Sequence, residues 1–247
     1  MHAPQNAYIH IPFCNSKCFY CAFISTVNTK LELGYLIALL KEIDTNYQGN
    51  TLNTLYFGGG TPSILPLEHV KKIFNKFNLA PNAEITLELN PENATADYLS
   101  GLKEIGINRL SIGIQTFNDK ILKQIGRRHS AEQAQNAVKI AQNAGFDNIS
   151  LDFIYGLPNQ TIEEFTNDLK IAKTLNVPHI SLYGLKIEDN SVFGKKTPQN
   201  LPDDDLQADM YLKAIDVLKD FSHYEISNFA KTGFESRHNL NYWDNAQ

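Results

Sequence analysis

The chain of 247 residues has only three cysteines and lacks any long apolar run. Its longest apolar stretches, such as residues 35–40, are far shorter than the roughly 20 residues that cross a bilayer, so we expect no membrane span. Few residues precede the first predicted strand, which leaves no room for a signal peptide. Reduced thiols without an export signal favour the cytoplasm. A net charge of −5 provides no basic surface for nucleic acid.

The three cysteines form one short loop. Cys14, Cys18 and Cys21 follow a C-x3-C-x2-C spacing, directly after an apolar stretch at residues 8–13. Three thiolates can bind three irons of a cubane iron–sulfur cluster and leave the fourth iron open, whereas cubanes held by protein alone usually have four cysteine ligands. The missing ligand indicates that a small molecule completes the site.

Other interpretations of this loop stay open at the level of the residues. A disulfide framework would leave one thiol unpaired. The positions i, i+4 and i+7 would also suit a buried helical stripe, but Pro12 and the pair Asn15-Ser16 argue against a regular helix. A structural zinc site of the Cys3His type, with His10 or another histidine, is a stronger competitor.

Short β-rich runs alternate with amphipathic helices along most of the chain, which predicts parallel βα units. Ser130 and Thr161 each begin a capping box, and Gly106 and Gly145 lie where a helix ends in a left-handed residue. Six such units fit either a doubly wound sheet or a partial (β/α) barrel. The predicted strands cover residues 8–11, 54–57, 84–89, 109–114, 148–153 and 179–183.

Four successive predicted strands keep one face small or polar, although a buried parallel strand should be apolar on both faces. Near the carboxyl edge of the sheet this face ends with Glu88, Gln115, Asp152 and Tyr183. Filled (β/α)8 barrels pack bulky branched side chains inside. A lumen of serine, threonine and glycine therefore predicts a partly open barrel around a polar ligand. The alternative is an antiparallel sheet with its polar face in water, and the helix-length connections argue against it.

A run of three glycines follows the second predicted strand. Residues 58–60 precede Thr61 and Pro62, and glycine lets the backbone adopt positive φ and approach a ligand closely. A tight βα turn explains the run about as well. A nucleotide-phosphate loop is disfavoured, because Ser63 stands where the last glycine of G-x-G-x-x-G would be and no Gly-Lys-Ser/Thr follows.

Taken in order, these motifs resemble the radical S-adenosylmethionine (SAM) superfamily, and most closely its HemN-like, coproporphyrinogen dehydrogenase group. The resemblance implies an α/β fold, a partial, open (β/α)6-type TIM barrel over residues 1–222, and residues 223–247 as the truncated start of a C-terminal region. Members of the group continue further, whereas this chain ends four residues after Trp243. The matching segments span nearly the whole chain and are residues 8–14, 57–63, 87–91, 112–117, 152–158 and 224–229.

The same resemblance implies a set of cofactor contacts. A 4Fe–4S cluster is expected on Cys14, Cys18 and Cys21, with SAM on the open iron. A planar guanidinium matches a carboxylate, so Arg127 is the candidate for the carboxylate of SAM. The expected SAM contacts are Tyr8, Tyr20, Gly59, Gly60, Thr61, Glu88, Gln115, Arg127 and Asp152.

Two features favour the haem-chaperone branch (HemW-like) of this group over the dehydrogenase. Phe23 stands where the dehydrogenase motif has a further cysteine, and the dehydrogenase's N-terminal extension is absent. Residues 237–243, R-H-N-L-N-Y-W, resemble the H-N-x-x-Y-W segment associated with haem binding. This resemblance implies His238 as an axial iron ligand and Trp243 as a ring packed on the macrocycle. The expected partners are haem or another porphyrin and a haem-acceptor protein.

Three functions stay open on the sequence. The first is a haem chaperone with a radical SAM core. The second is oxygen-independent oxidation of coproporphyrinogen III, in which a 5′-deoxyadenosyl radical abstracts a hydrogen from a propionate side chain. The third is a zinc-stabilised barrel with an unrelated ligand. Without the family resemblance, His238 would be interpreted as an ordinary surface histidine beside a core tryptophan.

Overall fold

The computed structural model describes residues 5–244, which form one eight-stranded sheet flanked by helices. The strands are β1 (Asn6–Ile11), β2 (Thr51–Gly59), β3 (Asn78–Leu89), β4 (Arg109–Gln115), β5 (Asn148–Tyr155), β6 (His179–Gly184), β7 (Ser222–Glu225) and β8 (Asn228–Ala230). The helices are α1 (Glu32–Asn46), α2 (Leu67–Phe74), α3 (Ala96–Ile105), α4 (Asp119–Gln124), α5 (Ala131–Asn143), α6 (Ile162–Thr174), α7 (Val192–Lys195), α8 (Asp204–Val217) and α9 (Arg237–Trp243). None of the helices between residues 5 and 244 is both long and apolar enough to cross a bilayer.

The first six strands are parallel and lie in the sheet in the order of the sequence. A doubly wound sheet reverses its strand order at a switch point. Strands that follow one another in a single direction are instead the arrangement of a barrel. Within the described sheet β1 and β6 are not neighbours, and β6 pairs instead with β8. The predicted partial, open (β/α)6 barrel is confirmed, and the antiparallel alternative is wrong.

The predicted helix ends are confirmed as well. At the start of α5, Ser130 Oγ accepts a hydrogen bond from Gln133 N, and the Gln133 side chain accepts one from Ser130 N. Thr161 and Glu164 form the same reciprocal pair at the start of α6, and Gly106 ends α3 in the left-handed conformation. These contacts satisfy backbone groups that a helix leaves free at its ends. They fix where α3 ends and where α5 and α6 begin.

The apolar core lies between the helices and the outer face of the barrel. Leu87, Leu110 and Leu151 have no exposed surface and belong to this core. Successive strand residues point to opposite faces, so the neighbouring Arg109 and Ser150 point inwards, and both are buried. Polar side chains withdrawn from water need polar partners. A polar lumen of this kind is what the alternating strand pattern predicts for a barrel that holds a polar ligand.

The residues after β6 extend the same sheet before the chain returns to the barrel. β8 lies antiparallel beside β6, and β7 lies beside β8. The chain then crosses to β2, which α9 contacts. The predicted division into 1–222 and 223–247 stays a prediction, and its ends at 1–4 and 245–247 lie outside the described residues.

Candidate functional site

A cavity of about 720 Å³ lies at the carboxyl ends of the barrel strands. Pockets for cofactors and drug-sized ligands have volumes in this range. Tyr8, one of the expected SAM contacts, is not among the residues that line it, and the Tyr8 ring stacks on Tyr56 at a centroid distance of 5.7 Å. The other expected cluster and SAM residues all line the cavity: Cys14, Cys18, Tyr20, Cys21, Gly59, Gly60, Thr61, Glu88, Gln115, Arg127 and Asp152.

The cysteine loop forms one wall of this cavity and is irregular, so the helical-stripe interpretation is wrong. Two backbone hydrogen bonds attach the loop to the fold: Cys14 N donates to Thr26 O (3.0 Å), and Phe19 N donates to Ile125 O (3.0 Å). All three thiols are free. The loop therefore presents three unpaired thiols to the cavity from an attached backbone.

The arrangement of the thiols does not favour zinc. A structural zinc ion needs four ligands around one point, but the part of the chain that the structure describes has no group of three or more His, Cys, Asp or Glu side chains placed to hold one ion. His10, the proposed fourth ligand, has its Nε2 2.9 Å from Ile24 O. A cubane attaches each cysteine to its own iron and needs no histidine, so the three thiols suit a cluster.

The glycine run lies directly against the cysteine loop. A Cβ on Gly60 would lie 2.7 Å from Phe13 O and 3.0 Å from Cys14 Sγ, which leaves no room for a side chain. Gly59 has a φ of 114°, which favours glycine. Thr61 Oγ1 donates a hydrogen bond to Cys14 Sγ (3.4 Å). The glycine run at the end of β2 therefore packs closely against Cys14. It does more than form a tight turn.

Glu88 extends from the end of β3 into the cavity. Tyr56 OH donates to Glu88 Oε1 (3.0 Å), and Gly59 N donates to Oε2 (3.1 Å). Withdrawal of the Glu88 carboxyl from solvent raises its pKa to about 7, although both hydrogen bonds oppose the rise. A cationic ligand group in the cavity would stabilise the carboxylate form.

The cavity-lining side chains that have a buried atom without a hydrogen-bond partner include Gln115, through Oε1, and Arg127, through Nε. Gln115 has a φ of 64°, at a shift in the register between β4 and β5. Arg127 Nη2 donates to Asn90 Oδ1 (2.8 Å) and to Gly113 O (2.7 Å). An amide oxygen accepts from an ammonium, and a guanidinium N–H donates to a carboxylate. The pair therefore fits the amino-acid end of SAM.

Asp152 is oriented by two serines on neighbouring inner-face positions. Ser111 Oγ donates to Asp152 Oδ2 (2.7 Å), and Ser150 Oγ donates to Oδ1 (3.0 Å). Burial raises the pKa of Asp152, and the hydrogen bonds from the serines oppose that rise. Each carboxylate oxygen can accept more than one hydrogen bond. Asp152 can therefore also accept hydrogen bonds from ligand hydroxyls, such as those of a ribose.

Sequence reasoning assigns no role to Tyr56 or Asn90, but both shape the site. Tyr56 binds Glu88, and Asn90 Nδ2 donates to Thr61 Oγ1 (3.2 Å) while its Oδ1 accepts from Arg127. Asn90 thus connects the glycine-rich segment to the guanidinium. The available signal was its position within residues 87–91, one of the segments that match the family.

His238 is not among the residues that line this cavity and lies where α9 contacts β2. Its side chain is withdrawn from solvent with only 5% of the residue exposed, and its ring stacks on Tyr56 at 4.9 Å. Burial lowers the pKa of His238 to about 4, so the imidazole is neutral at pH 7. Trp243 is 55% exposed. The interpretation of His238 as a surface histidine beside a core tryptophan is therefore wrong, because the histidine is buried and the tryptophan is exposed.

Hydrogen bonding selects one tautomer of His238. Thr54 Oγ1 lies 2.7 Å from His238 Nδ1 and donates its single proton to Asn6 Oδ1 (3.0 Å). Thr54 must then accept the Nδ1 proton, which puts the lone pair of the imidazole on Nε2. That atom is buried without a partner. A neutral imidazole with Nδ1–H bonded and Nε2 free is one of the two forms that ligate metals.

Known proteins match this chain over most of its length. The Radical SAM superfamily model matches residues 8–172. Heme chaperone HemW of Lactococcus lactis subsp. lactis (strain IL1403) is 38% identical over 256 residues, which cover 100% of this chain and 68% of that protein. Heme chaperone HemW of Escherichia coli (strain K12) is 40% identical over 252 residues, which cover 97% and 66%. The solved structure of coproporphyrinogen III oxidase (HemN) from Escherichia coli superposes with a TM-score of 0.86 at 28% identity, covering 97% of this chain and 58% of that one.

The open barrel, the cysteine loop and the family match together define a radical SAM protein, and membership of that superfamily implies a 4Fe–4S cluster and SAM. Within the superfamily, this chain belongs to the HemW family of heme chaperones. It spans about two thirds of the length of the curated relatives that it matches, at 68% and 66%.

Proposed function

We propose that this protein is a haem chaperone that binds haem through His238 and transfers it to an acceptor protein. The observation that carries the proposal is the state of this imidazole, which is neutral with an unpartnered Nε2. The segment that contains it resembles a haem-binding motif, and the HemW relatives are named as heme chaperones. We place the protein in the cytoplasm, where thiols stay reduced.

The cavity at the carboxyl end of the barrel supports this function as a cofactor site. Cys14, Cys18 and Cys21 would hold the cluster, and Gln115 with Arg127 would hold the amino-acid end of SAM. Asp152 would accept hydrogen bonds from the ribose. When bound, the cluster would supply an electron for cleavage of a carbon–sulfur bond at the sulfonium of SAM. The chain's own residues bind and orient SAM, and they exclude water from it.

A haem titration tests the proposal. Anaerobically reconstituted protein should take up one haem per chain, with a Soret band that His238→Ala shifts and weakens because an axial ligand is lost. Tyr242, on the same helix and 68% exposed, offers Tyr242→Phe as a control that leaves the ligand in place. Absence of haem uptake by the reconstituted parent would end this proposal. The iron and sulfide content of the same sample separates a cluster from zinc.

Oxidation of coproporphyrinogen III is the second candidate. It is supported by the likeness to HemN, at 28% identity and a TM-score of 0.86. Phe23, where that enzyme's motif has a further cysteine, argues against it. The discriminating measurement is anaerobic incubation with reductant, SAM and coproporphyrinogen III. Formation of protoporphyrinogen at enzymatic rates would favour the oxidase over the chaperone.

A further inference from the structure

His238 cannot meet a haem iron where it lies. Its Nε2 has no contact with solvent, and its ring is enclosed by Tyr56 on one side and by Tyr242 edge-on at 5.6 Å. An axial ligand must present its nitrogen to the centre of a wide macrocycle. The short helix α9 must therefore leave the barrel before iron can bind.

Glu84, an inner-face residue of β3 to which sequence reasoning assigned no role, holds this helix. It is 6% exposed, and its carboxylate accepts hydrogen bonds from Arg237 N (3.0 Å), His238 N (3.0 Å) and Ser236 Oγ (3.4 Å). Backbone N–H groups at the start of a helix have no partner within the helix, and a carboxylate there also favours the helix dipole. The barrel wall therefore supplies the anion at the start of α9.

Further contacts fasten the same turn from other strands. Arg237 Nη1 donates to Asn82 O (2.6 Å), and its Nη2 donates to Asn53 O (3.2 Å). Ser236 N donates to Tyr224 OH (3.1 Å), a hydroxyl that also lies 2.8 Å from His179 Nε2. The first turn of α9 is thus bound to three strands. The contacts are with Tyr224 on β7, with Asn82 and Glu84 on β3, and with Asn53 on β2.

We propose that Glu84 is a positioning residue that locks α9 into the barrel and keeps His238 from haem until the lock opens. The inference rests on the proposed function for its ligand, haem. The lock adds a closed state of the protein, in which the His238 imidazole has the tautomer that suits iron ligation but cannot be reached by haem. Release of one helical turn then exposes the nitrogen without any change in the parallel strands.

The lock predicts that weakening the Glu84 contacts speeds haem uptake, which is the reverse of what loss of a binding residue does. Glu84→Ala removes all three acceptor contacts, and Arg237→Ala removes two contacts without leaving a buried group unpaired. We expect each variant to accelerate haem binding about tenfold, equivalent to about 1.4 kcal/mol in favour of the open state. Asp168→Asn is the matched control. Asp168 is a buried carboxylate on α6 that accepts from Thr116 Oγ1 (2.7 Å) and Phe117 N (2.8 Å).

The experiment combines two measurements on the full chain. Stopped-flow absorbance at the Soret band gives the rate of haem uptake. Modification by diethyl pyrocarbonate, located by peptide mass spectrometry, gives the accessibility of His238 without haem. Both rates should rise in Glu84→Ala and Arg237→Ala, and both should stay at parental values in Asp168→Asn even if its melting temperature falls.

Each outcome is decisive. Unchanged His238 modification in both lock variants would overturn the proposal, because Glu84 and Arg237 would not then hold the helix. Faster modification with unchanged haem uptake would overturn it as well, because release of α9 would not limit binding. Faster modification of His238 together with faster haem uptake than in the parent would support it. If no variant binds haem, including those with accessible His238, the proposed function fails while the helix lock stands.

Discussion

Replacing Arg127 with lysine is expected to weaken SAM binding, because one ammonium cannot make all the contacts of this guanidinium. Arg127 donates to Asn90, to Gly113 O and, through Nη1, to Cys18 Sγ (3.6 Å), and its Nε is buried without a partner. Lysine has only three N–H donors. It can keep the protein contacts only by giving up the ligand. Loss of one charge-assisted hydrogen bond costs about 1.5–3 kcal/mol, which is a rise of roughly 10- to 150-fold in the Kd for SAM.

Isothermal titration of SAM into anaerobically reconstituted protein measures this Kd. Arg237→Lys is the matched control, since Arg237 does not line the cavity and undergoes the same chemical change. Its Kd should stay within about twofold of the parental value. Iron and sulfide content, together with the electron paramagnetic resonance spectrum of the reduced cluster, shows whether the loop of Cys18 is intact in both variants.

The result that would refute the reasoning is a parental Kd in Arg127→Lys with a full cluster. In that case the buried Nε is not the ligand's donor, and the carboxylate of SAM binds elsewhere. Loss of iron together with SAM affinity would instead identify the contact with Cys18 as the more important one.

Gly60→Ala should lower both the iron content and the melting temperature, because its Cβ would lie 2.7 Å from Phe13 O. The control Gly34→Ala has open space on α1 and should be slightly stabilising. Equal iron content in the two variants would contradict this prediction. The melting temperature of the cluster-free protein should fall as the pH rises from about 4.5 to about 7, because the raised pKa of Glu88 makes the folded chain bind this proton more tightly than the unfolded chain does. Glu88→Gln should flatten that slope, and an equally steep slope would show that other groups cause it. Trp243→Ala should raise the haem Kd several-fold at an unchanged melting temperature, since the indole is half-exposed; an unaltered Soret titration would remove Trp243 from the haem site.

The barrel and most of the cavity were predictable because local patterns encode them. Strand alternation separates Leu87 from Glu88 and Leu151 from Asp152, and the structure places the carboxylates inside and the leucines in the outer core. Capping boxes and terminal glycines mark the helices that force the strands to be parallel. Parallel strands share one carboxyl edge, so residues far apart in the sequence meet there whenever each lies at a strand's end.

Positions that depend on irregular backbone were less accessible to this reasoning. Gln115 was predicted to line the cavity from strand alternation, but it does so at positive φ beside a register shift, which alternation does not describe. Tyr8 lies on a regular strand and is not among the lining residues, and its ring stacks on Tyr56, which does line the cavity. A motif match transfers residue identity, whereas the direction of a side chain depends on the local backbone.

The environment of His238 could not be predicted, because the polarity of an inner strand position shows only that a polar partner exists. Thr54 and Glu84 are inner-face residues like Glu88 and Asp152, and the alternation pattern treats all four alike. The first two bind residues 236–238, which are separated from them by more than 150 positions in the chain, and the last two face the cavity. Only the path of the chain after β8 decides which polar positions the protein satisfies itself and which it leaves for a ligand. Near the amino ends of the strands, Thr54 and Glu84 bind residues 236–238, so any function of His238 in haem binding requires those contacts to break.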